Sequence, residues 1–415
     1  MKTMMTLLKK TLKFVFYLLL VLLIVANGFI LLSGRTYLYR GIYLTYLSGK
    51  TGPSIYDLDN FPKRKVAKGN KQLPWIKTAN YTQNTQINGF EQYNEGLETK
   101  AFLIFKNDSL LFEKYWGNHT VSTLSNSFSA AKTMVALLIG IAVEEGKIKN
   151  LDEPVGNYLP EFKRDDLSII TIRDLLLMAS GLNWSESGKN PLSNNAESYY
   201  GTDLYGLVTR QKRISTPGRT FIYQSGNSQL LGYIIQKATG KNVSDYCSEK
   251  LWSKMGMDAD AYWSLDKENG DEKAFCCLYA TARDFGKIGQ LIANRGKWGN
   301  EQLIPSWYFE EMVSAPEDMD TEEAIKNYQY GLHIWTYQGY KSPIYYCRGI
   351  LGQYIIAIPE EKTVIVRLGE KRSKTIQPTD AKIKQRQLKK IGHTQDFIQY
   401  INFAEEIISE LENKK

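Results

Sequence analysis

An apolar run near the amino terminus is the first pattern along the chain. Residues Phe14 to Leu32 (FVFYLLLVLLIVANGFILL) contain no charged side chain and are about long enough to cross a bilayer as a helix. Lysines precede this run at positions 2, 9, 10 and 13, and no A-x-A cleavage pattern follows it. Residues 1–34 are therefore predicted to form a cytoplasmic tip and an uncleaved, single-pass transmembrane anchor, with the rest of the chain exported. A cleaved signal peptide is the alternative, and it would export the same domain.

The pattern becomes strand-like after a weakly periodic segment. Residues 35–95 are rich in aromatic residues and punctuated by glycine and proline, which indicates a juxtamembrane stalk. From Lys100, the sequences AFLIF and SLLFEKYW flank the turn Lys106-Asn107-Asp108 and predict a strand, a turn and a second strand. Similar strand-like runs return nearer the carboxyl end, at 330–337, 354–360 and 363–370.

Helical spacing dominates between these two groups of strands, from about residue 150 to 290, and returns at 394–412. Strands from both chain ends that enclose a helical middle predict an α+β fold. Its antiparallel sheet would be flanked by helices, and the helical subdomain at about 150–290 would be an insertion. The body of the protein is then one domain over residues 96–415.

Composition and charge narrow the class of protein. The chain has 415 residues, of which 43% are hydrophobic and 23% charged, as expected for a globular enzyme-sized body. The net charge of +8 comes largely from one window, which has a single acid, Asp380, and eight basic residues: Lys371, Arg372, Lys374, Lys382, Lys384, Arg386, Lys389 and Lys390. This basic insertion, 371–393, is either a solvated surface segment or a site of attraction to anionic lipid or cell-wall polymer. Nucleic-acid binding is not predicted.

The cysteines and histidines favour neither a disulfide framework nor a metal site. Cys276 and Cys277 are adjacent, and with Cys247 and Cys347 they match no zinc spacing, so all four are predicted to be small core residues. The chain has 3 histidines. We therefore predict no protein metal centre and no cofactor.

Ser129 and Lys132 are the first candidates for chemistry. They lie three residues apart at the start of an apolar, helix-like stretch (SFSAAKTMVALLIGIAVEEG), so a helix would put both side chains on one face. The helix amino terminus would favour a developing oxyanion. Both residues could equally be polar residues on the first turn of a core helix. The same spacing recurs at Ser264 and Lys267, so the pair alone does not decide. The sequence has no G-x-S-x-G elbow, and no histidine lies in a recognisable triad motif.

Four blocks in order resemble a known family. They are SFSAAKT, LLLMASGLNW, PGRTFIYQSGNSQLLGYIIQKATGK and LYATARDFGKIGQLIANRGKW. Together they are similar to the penicillin-recognising serine hydrolases, in the branch of class C β-lactamases, D-alanyl-D-alanine carboxypeptidases, related esterases and 6-aminohexanoate-dimer hydrolases. The resemblance covers about residues 95 to 370. It implies a β-lactamase/transpeptidase-like fold.

The resemblance also implies roles for individual residues. Ser129 matches the acylated serine, Lys132 the lysine that helps to deprotonate it, and Tyr223 the tyrosine of the family's Tyr-x-Asn motif. Ser225 stands where many members have asparagine. Whether Lys132 or Tyr223 is the first base is left open by the sequence.

The family's third motif, Lys/His-Thr/Ser-Gly, is altered here. Cys347-Arg348-Gly349 occupies the aligned position, so Arg348 would offer a cation to a substrate carboxylate, and Gly349 would allow close approach. The backbone N–H groups of Ile350 and Ser129 would form the oxyanion hole. Two other pairs, Lys374-Thr375 and His393-Thr394, match the first two positions of the motif, but no glycine follows either pair. Tyr199, with its neighbour Tyr200, is expected either to line the site or simply to pack.

The functional expectation is a bacterial serine hydrolase that cleaves an amide or ester through an acyl-enzyme on Ser129. Its partners would be a small amide or ester, or a cell-wall peptide, together with the membrane that holds its anchor. The altered third motif argues against efficient β-lactam hydrolysis. The alternatives are a peptidoglycan- or β-lactam-binding sensor without turnover and a D,D-carboxypeptidase. The sequence leaves the natural substrate and the oligomeric state open.

Overall fold

A seven-stranded sheet drawn from both ends of the chain is the centre of the fold, in a computed structural model that describes residues 2–164, 166–316, 318–377 and 389–413. Its strand order is β12-β13-β14-β15-β3-β4-β2, and neighbours are antiparallel except β2 and β4. The strands are β2 Lys77–Thr82, β3 Thr99–Lys106, β4 Ser109–Tyr115, β12 Trp335–Tyr337, β13 Ile344–Gly349, β14 Gln353–Ile358 and β15 Thr363–Gly369. The α+β class and the sheet built from both chain ends, expected from the sequence, are therefore present.

Helices cover both faces of this sheet, which explains why its central strands read as continuous apolar runs. Every residue of β14 and β15 is buried. On one face lies α10 (Ala282–Ala293), where a Cβ at Gly289 would overlap the side chain of Val364. On the other face lie α3 (Phe90–Gly96) and α12 (Gln395–Glu412), with the ring of Phe397 4.1 Å from that of Tyr346. Burial of both faces removes the in–out alternation that a half-exposed sheet would show.

A smaller sheet joins two strands from the first third of the chain to two strands from its helical middle. That sheet has the order β1-β7-β8-β5, formed by Lys63–Val66, Ala261–Ser264, Leu278–Ala280 and Ser125–Asn126. The helices are α4 Ala131–Glu144, α5 Ile172–Leu176, α6 Asn194–Tyr200, α7 Leu204–Thr209, α8 Ser225–Thr239, α9 Val243–Cys247 and α11 Ser306–Met312. Short paired strands complete the set: β6 Thr220–Phe221 with β11 Asp320–Thr321, and β9 Lys297–Trp298 with β10 Glu301–Gln302. Helices are thus the main regular elements of the region 150–290, which also contributes β6, β7 and β8.

Residues 35–95, assigned to a stalk by sequence, pack against the domain. The segment forms α2 (Tyr37–Leu44), and its strands β1 and β2 pair with β7 and β4. The Tyr37 hydroxyl donates to the carbonyl of Pro191 at 3.0 Å. The stalk interpretation is therefore wrong for this segment, because the segment is part of the domain. The sequence did not reveal this packing, since the short strands β1 and β2 have mixed burial and show no clear alternation.

The first helix, α1 (Lys2–Leu32), is long and apolar enough to cross a membrane between Met4 and Leu32. Only 6% of its most apolar window is buried by the rest of the protein. Its length, composition and position fit either an anchor or a signal sequence.

The prediction for the cysteines needs one correction. All four cysteines are buried, but Cys276 and Cys277 are joined by a disulfide rather than being separate thiols. Adjacent cysteines gave no spacing signal for such a bond.

The central part of the basic insertion, 378–388, lies outside the described residues. The two ends of the insertion meet where the Ile376 amide donates to the His393 carbonyl at 2.7 Å.

Candidate active site

A strained turn presents Ser129 at the amino end of α4. Phe128, Ser129 and Ala130 form a single helical turn that continues directly into α4. Phe128 is buried with φ at +45°, in the left-handed region that side chains other than glycine rarely adopt. The Asn126 side-chain oxygen accepts from the Phe128 amide at 2.8 Å and supports this turn. Ser129 is partly exposed, while its chain neighbours are buried.

Lys132 lies one turn along α4 and contacts Ser129 directly. Its Nζ donates to Ser129 Oγ at 3.0 Å and to the Phe275 carbonyl at 2.7 Å. The side chain is buried, and this burial lowers the pKa of Lys132 to about 8, against an opposing effect of the negative charge on Glu186. At pH 7 roughly one lysine in ten is then neutral, a far larger share than for an exposed lysine.

Tyr223 reaches the same serine from the loop before α8. Its hydroxyl interacts with the Ser129 side chain, and its ring centroid lies 5.1 Å from Lys132 Nζ and 5.8 Å from the ring centroid of Trp335. Burial raises the pKa of Tyr223 well above its usual value, and the charge of Glu186 adds to this rise. The three residues predicted as catalytic are therefore in mutual contact, although the tyrosine is far from the others in sequence.

Glu186 is a site residue that the sequence analysis missed. Ser225, at the first position of α8, donates its hydroxyl to Glu186 Oε1 at 2.6 Å and its amide to Oε2 at 2.7 Å. The Trp184 indole also donates to Oε2, at 2.8 Å. A carboxylate at this helix amino terminus is electrostatically favourable. The sequence carried no local signal for Glu186, because its partner Ser225 is 39 positions away.

The altered third motif forms the end of β13. The Arg348 guanidinium lies 3.4 Å from the ring centroid of Trp335 and donates to the Gly392 carbonyl at 2.7 Å. A Cβ at Gly349 would overlap the Ser127 carbonyl, so only glycine lets this strand approach the nucleophile turn so closely. Ile350 follows directly, with 42% of its surface exposed. Arg348 is thus held by Trp335 and the base of the basic insertion.

A cavity of about 450 Å³ opens over Ser129. Its lining includes Glu186, Ser225, Ile350, Phe275 and Tyr199, together with Tyr200 and residues of α2. The Tyr199 hydroxyl is buried without a hydrogen-bond partner in the described part of the chain. Tyr199 and Tyr200 both pack and line the cavity, so the two expectations for them are compatible.

The three histidines pair with groups other than Ser129. His333 contacts the Ser228 hydroxyl and the Leu176 carbonyl, His119 contacts the Tyr56 hydroxyl, and His393 contacts the Tyr346 hydroxyl. His393 and Thr394 are buried, and their side chains contact the Tyr346 and Tyr354 hydroxyls rather than the cavity. Within residues 2–164, 166–316, 318–377 and 389–413, no cluster of three or more metal-ligating side chains occurs.

The sheet and its flanking helices have the fold of the penicillin-recognising serine hydrolase family. Residues 88–386 match the family described as Beta-lactamase, and the chain belongs to that family. A 6-aminohexanoate-dimer hydrolase of Paenarthrobacter ureafaciens is 24% identical over 299 residues, which are 68% of this chain and 76% of the relative. A teichoic acid D-alanine hydrolase of Staphylococcus aureus (strain MRSA252) is 26% identical over 237 residues. The match covers 55% of this chain and about half (52%) of that relative.

Solved structures are similar in fold. A Bacillus anthracis protein provisionally assigned as a 6-aminohexanoate-dimer hydrolase has a TM-score of 0.69 at 21% identity, with 86% of this chain and 94% of that chain covered. An octameric penicillin-binding protein homologue from Pyrococcus abyssi has a TM-score of 0.57 at 20% identity, with 69% and 74% covered. The family of hydrolases and the fold class expected from the sequence are therefore confirmed.

Proposed function

We propose that this protein is a membrane-anchored serine hydrolase that cleaves an amide or ester bond through an acyl-enzyme on Ser129. The observation that carries this proposal is the contact between Ser129 Oγ and the buried Nζ of Lys132 at 3.0 Å. Both curated relatives described above are named as hydrolases, which supports the same class of reaction. Residues 1–34 would hold the catalytic domain on the exported side of a bacterial membrane, and that domain includes the packed segment 35–95 as well as 96–415.

Acylation would begin with Lys132 as the base. A neutral amine is needed to take the Ser129 proton, and a pKa of about 8 provides it near neutral pH. Tyr223 is a poorer first base because its pKa is raised, so its phenolate is scarce. Oγ then attacks the substrate carbonyl, and the backbone N–H groups of Ser129 and Ile350 stabilise the oxyanion.

Leaving-group departure and deacylation would use Tyr223. Its hydroxyl gives a proton to the departing amine or alcohol and is reprotonated through Lys132, which took the serine proton. In the second half a water loses its proton to the same pair as it attacks the acyl carbonyl, and Ser129 is regenerated. The contacts of Tyr223 with Ser129 and Lys132 support this shuttle.

A pH profile tests the electrostatic arrangement. The wild-type kcat/KM should rise with pH through about 8, because the neutral form of Lys132 is the active one. The negative charge of Glu186 raises the Lys132 pKa, so Glu186→Gln should lower it and move the rise to lower pH, by several tenths of a unit or more. The measurement is kcat/KM for p-nitrophenyl butyrate from about pH 5.5 to about pH 9.5, in steps of about 0.25 unit, which resolve a shift of several tenths of a unit.

Glu161 provides the matched control for this profile. Its carboxylate also accepts a hydroxyl hydrogen bond, from Tyr205 at 2.8 Å, but it lies outside the cavity lining. Glu161→Gln should leave the rise where it is. An unmoved rise in Glu186→Gln, with Glu161→Gln also unmoved, would contradict the assigned coupling between Glu186 and Lys132.

Tyr223→Phe separates leaving-group protonation from nucleophilic attack. The variant keeps the ring that packs on Trp335 and loses the hydroxyl. Hydrolysis of a p-nitroanilide or peptide amide should fall by about 10²–10³-fold, whereas acylation by a p-nitrophenyl ester should fall by less than about tenfold, since that leaving group needs no proton. Slowed deacylation should also give a burst of p-nitrophenol and an acyl-enzyme visible by intact mass.

Tyr330→Phe is the control for this comparison, because its ring packs edge-on against Tyr223 at 5.9 Å. It should change both substrates within a few-fold. An equal loss of ester acylation and amide hydrolysis in Tyr223→Phe would contradict the protonation role.

Turnover distinguishes an enzyme from a sensor that merely binds. The full chain in detergent should release many equivalents of p-nitrophenol from p-nitrophenyl butyrate. Release that stops at one equivalent, with a stable acyl adduct, would instead favour the sensor.

The position of Arg348 supports substrates other than β-lactams. Its guanidinium already stacks on Trp335 and donates to the Gly392 carbonyl, so it is not free to bind a substrate carboxylate.

A further inference from the structure

The juxtamembrane helix α2 forms one wall of the cavity that contains Ser129. This helix and the turn after it contribute five residues to the cavity lining that also includes Ser129: Tyr37, Leu38, Gly41, Ile42 and Tyr46. Gly41 lies close to the ring of Tyr200, where an added Cβ would be 3.4 Å away. A single short helix therefore separates Ser129 from whatever lies on the outer side of α2.

The position of α2 is fixed relative to the end of α1. Only residues 33–36 join the two helices, a span of at most about 14 Å when fully extended. The Tyr39 hydroxyl donates to Asn27 Oδ1 on α1 at 2.7 Å, and Arg35 donates to the Leu192 carbonyl at 3.2 Å. If α1 is the anchor of the proposed function, α2 and the cavity are held at the membrane surface.

The outer side of α2 has the composition of a membrane-contacting surface. We define the juxtamembrane apolar surface by its exposed residues, which are Tyr39, Ile42, Tyr43, Tyr46 and Leu47. Tyr46 and Leu47 are 72% and 74% exposed, and a group of exposed apolar side chains of this kind is typical of a protein- or membrane-contacting surface. Tyrosines are typical of the membrane–water interface, and the chain from Arg35 to Tyr56 contains no acidic residue that would repel anionic lipid.

Ile42 and Tyr46 belong both to this surface and to the cavity lining. The mouth of the cavity is therefore continuous with the juxtamembrane apolar surface. An apolar chain lying in the outer part of the bilayer would follow Leu38, Ile42 and Tyr46 inward, and its polar end would meet Ser129 and Glu186.

We propose that the cavity takes its substrate from the membrane: an amphiphile held in the same leaflet, whose amide or ester bond lies at head-group depth. The inference rests on the proposed anchor and hydrolase activity and deepens them by naming the substrate class. The reaction is unchanged: water cleaves the bond to give a carboxylic acid and an alcohol or amine. The continuity of the cavity with an apolar membrane-facing surface is what favours an amphiphile over a freely soluble substrate.

The test compares two esters on the full chain reconstituted in phosphatidylglycerol/phosphatidylethanolamine vesicles. p-Nitrophenyl palmitate is embedded in the vesicles, and p-nitrophenyl butyrate is dissolved in the buffer. Tyr43→Ser/Leu47→Ser removes two exposed side chains of the juxtamembrane apolar surface that lie outside the cavity lining. This variant should lose about tenfold or more in palmitate hydrolysis and stay within twofold on butyrate.

Ile169→Ser/Ile214→Ser is the matched control, because both isoleucines are exposed and remote from α2 in sequence. It should leave both activities within twofold. If Tyr43→Ser/Leu47→Ser changes neither ester while butyrate is turned over, the membrane-substrate inference fails and the hydrolase remains. If neither ester is turned over by the wild-type protein, the proposed function and this inference fail together.

Location can also be measured without turnover. The native cysteines are buried, so Tyr43→Cys introduces an exposed thiol for an environment-sensitive maleimide dye. The dye at position 43 should shift to the blue in vesicles and be quenched by brominated lipid, whereas a dye at Ile214→Cys should do neither. Equal behaviour at both positions would overturn the membrane contact of α2.

Discussion

Ser129→Ala is expected to abolish covalent labelling by a fluorophosphonate probe and to lower p-nitrophenyl butyrate turnover by at least about 10³-fold. The reason is that Ser129 Oγ is the hydroxyl in contact with both the buried Lys132 amine and the Tyr223 hydroxyl. Alanine removes the nucleophile without adding volume, so the strained turn at Phe128 should persist. Intact-mass spectrometry of the full chain in detergent gives the adduct directly.

The chain offers its own control for this experiment. Ser264 and Lys267 repeat the same spacing, but Ser264 is completely buried in β7 and away from the cavity lining. Ser264→Ala should label like the wild type. An adduct that persists in Ser129→Ala, on folded protein, would show that another residue is the nucleophile. A fluorescent penicillin, tested in parallel, then reports whether a β-lactam carboxylate is accepted beside the engaged Arg348.

The sheet and the Ser-Lys pair were predictable because their signals are local. The runs YIIAI (354–358) and VIV (364–366) are apolar along their whole length, and the strands that contain them are buried on two faces. Ser129 and Lys132 are three residues apart, so one helical turn is enough to bring them together. Tyr223 has no such relation to the serine in spacing, and it was found only through the family resemblance of the block around it.

Glu186 and the packing of α2 were not predictable for the same physical reason. The contact between Ser225 and Glu186 joins residues separated by 39 positions, and Tyr37 meets Pro191 across 154 positions. Periodicity reports which face of an element is buried, but it does not identify the partner that covers that face. Residues 35–95 were interpreted as a stalk because their apolar positions follow neither a helical nor a strand period over any length.

Lys132 and Lys273 illustrate how a buried charge can be either chemical or structural. Both side chains are buried, and both donate to a backbone carbonyl, Phe275 for Lys132 and Tyr199 for Lys273 at 2.5 Å. Burial lowers the pKa of each lysine. Lys273 Nζ lies 3.4 Å from the ring centroid of Phe61, whereas Lys132 has a hydroxyl as its second partner. Lys132 is the candidate base because the Ser129 hydroxyl beside it can give it a proton, and burial alone would not make it one.

Lys132→Met should therefore lower kcat/KM for p-nitrophenyl butyrate by about 10³-fold at pH 8, equivalent to about 4 kcal/mol of transition-state stabilisation. Methionine has a similar length and no desolvation cost, so the midpoint of thermal unfolding should not fall by more than a few degrees (about 1 kcal/mol for a large domain). The residual activity should also lose the rise with pH through about 8 that Lys132 produces.

Lys273→Met is the matched variant for this loss, since it removes a second buried lysine that also binds a carbonyl. It should retain activity within about fivefold and keep the same pH profile. If Lys132→Met and Lys273→Met lost activity equally, the loss would reflect packing rather than base chemistry. If Lys132→Met kept both its activity and the rise through pH 8, Lys132 would not be the first base. The first proton acceptor would then have to be Tyr223, and another group would have to stabilise its phenolate.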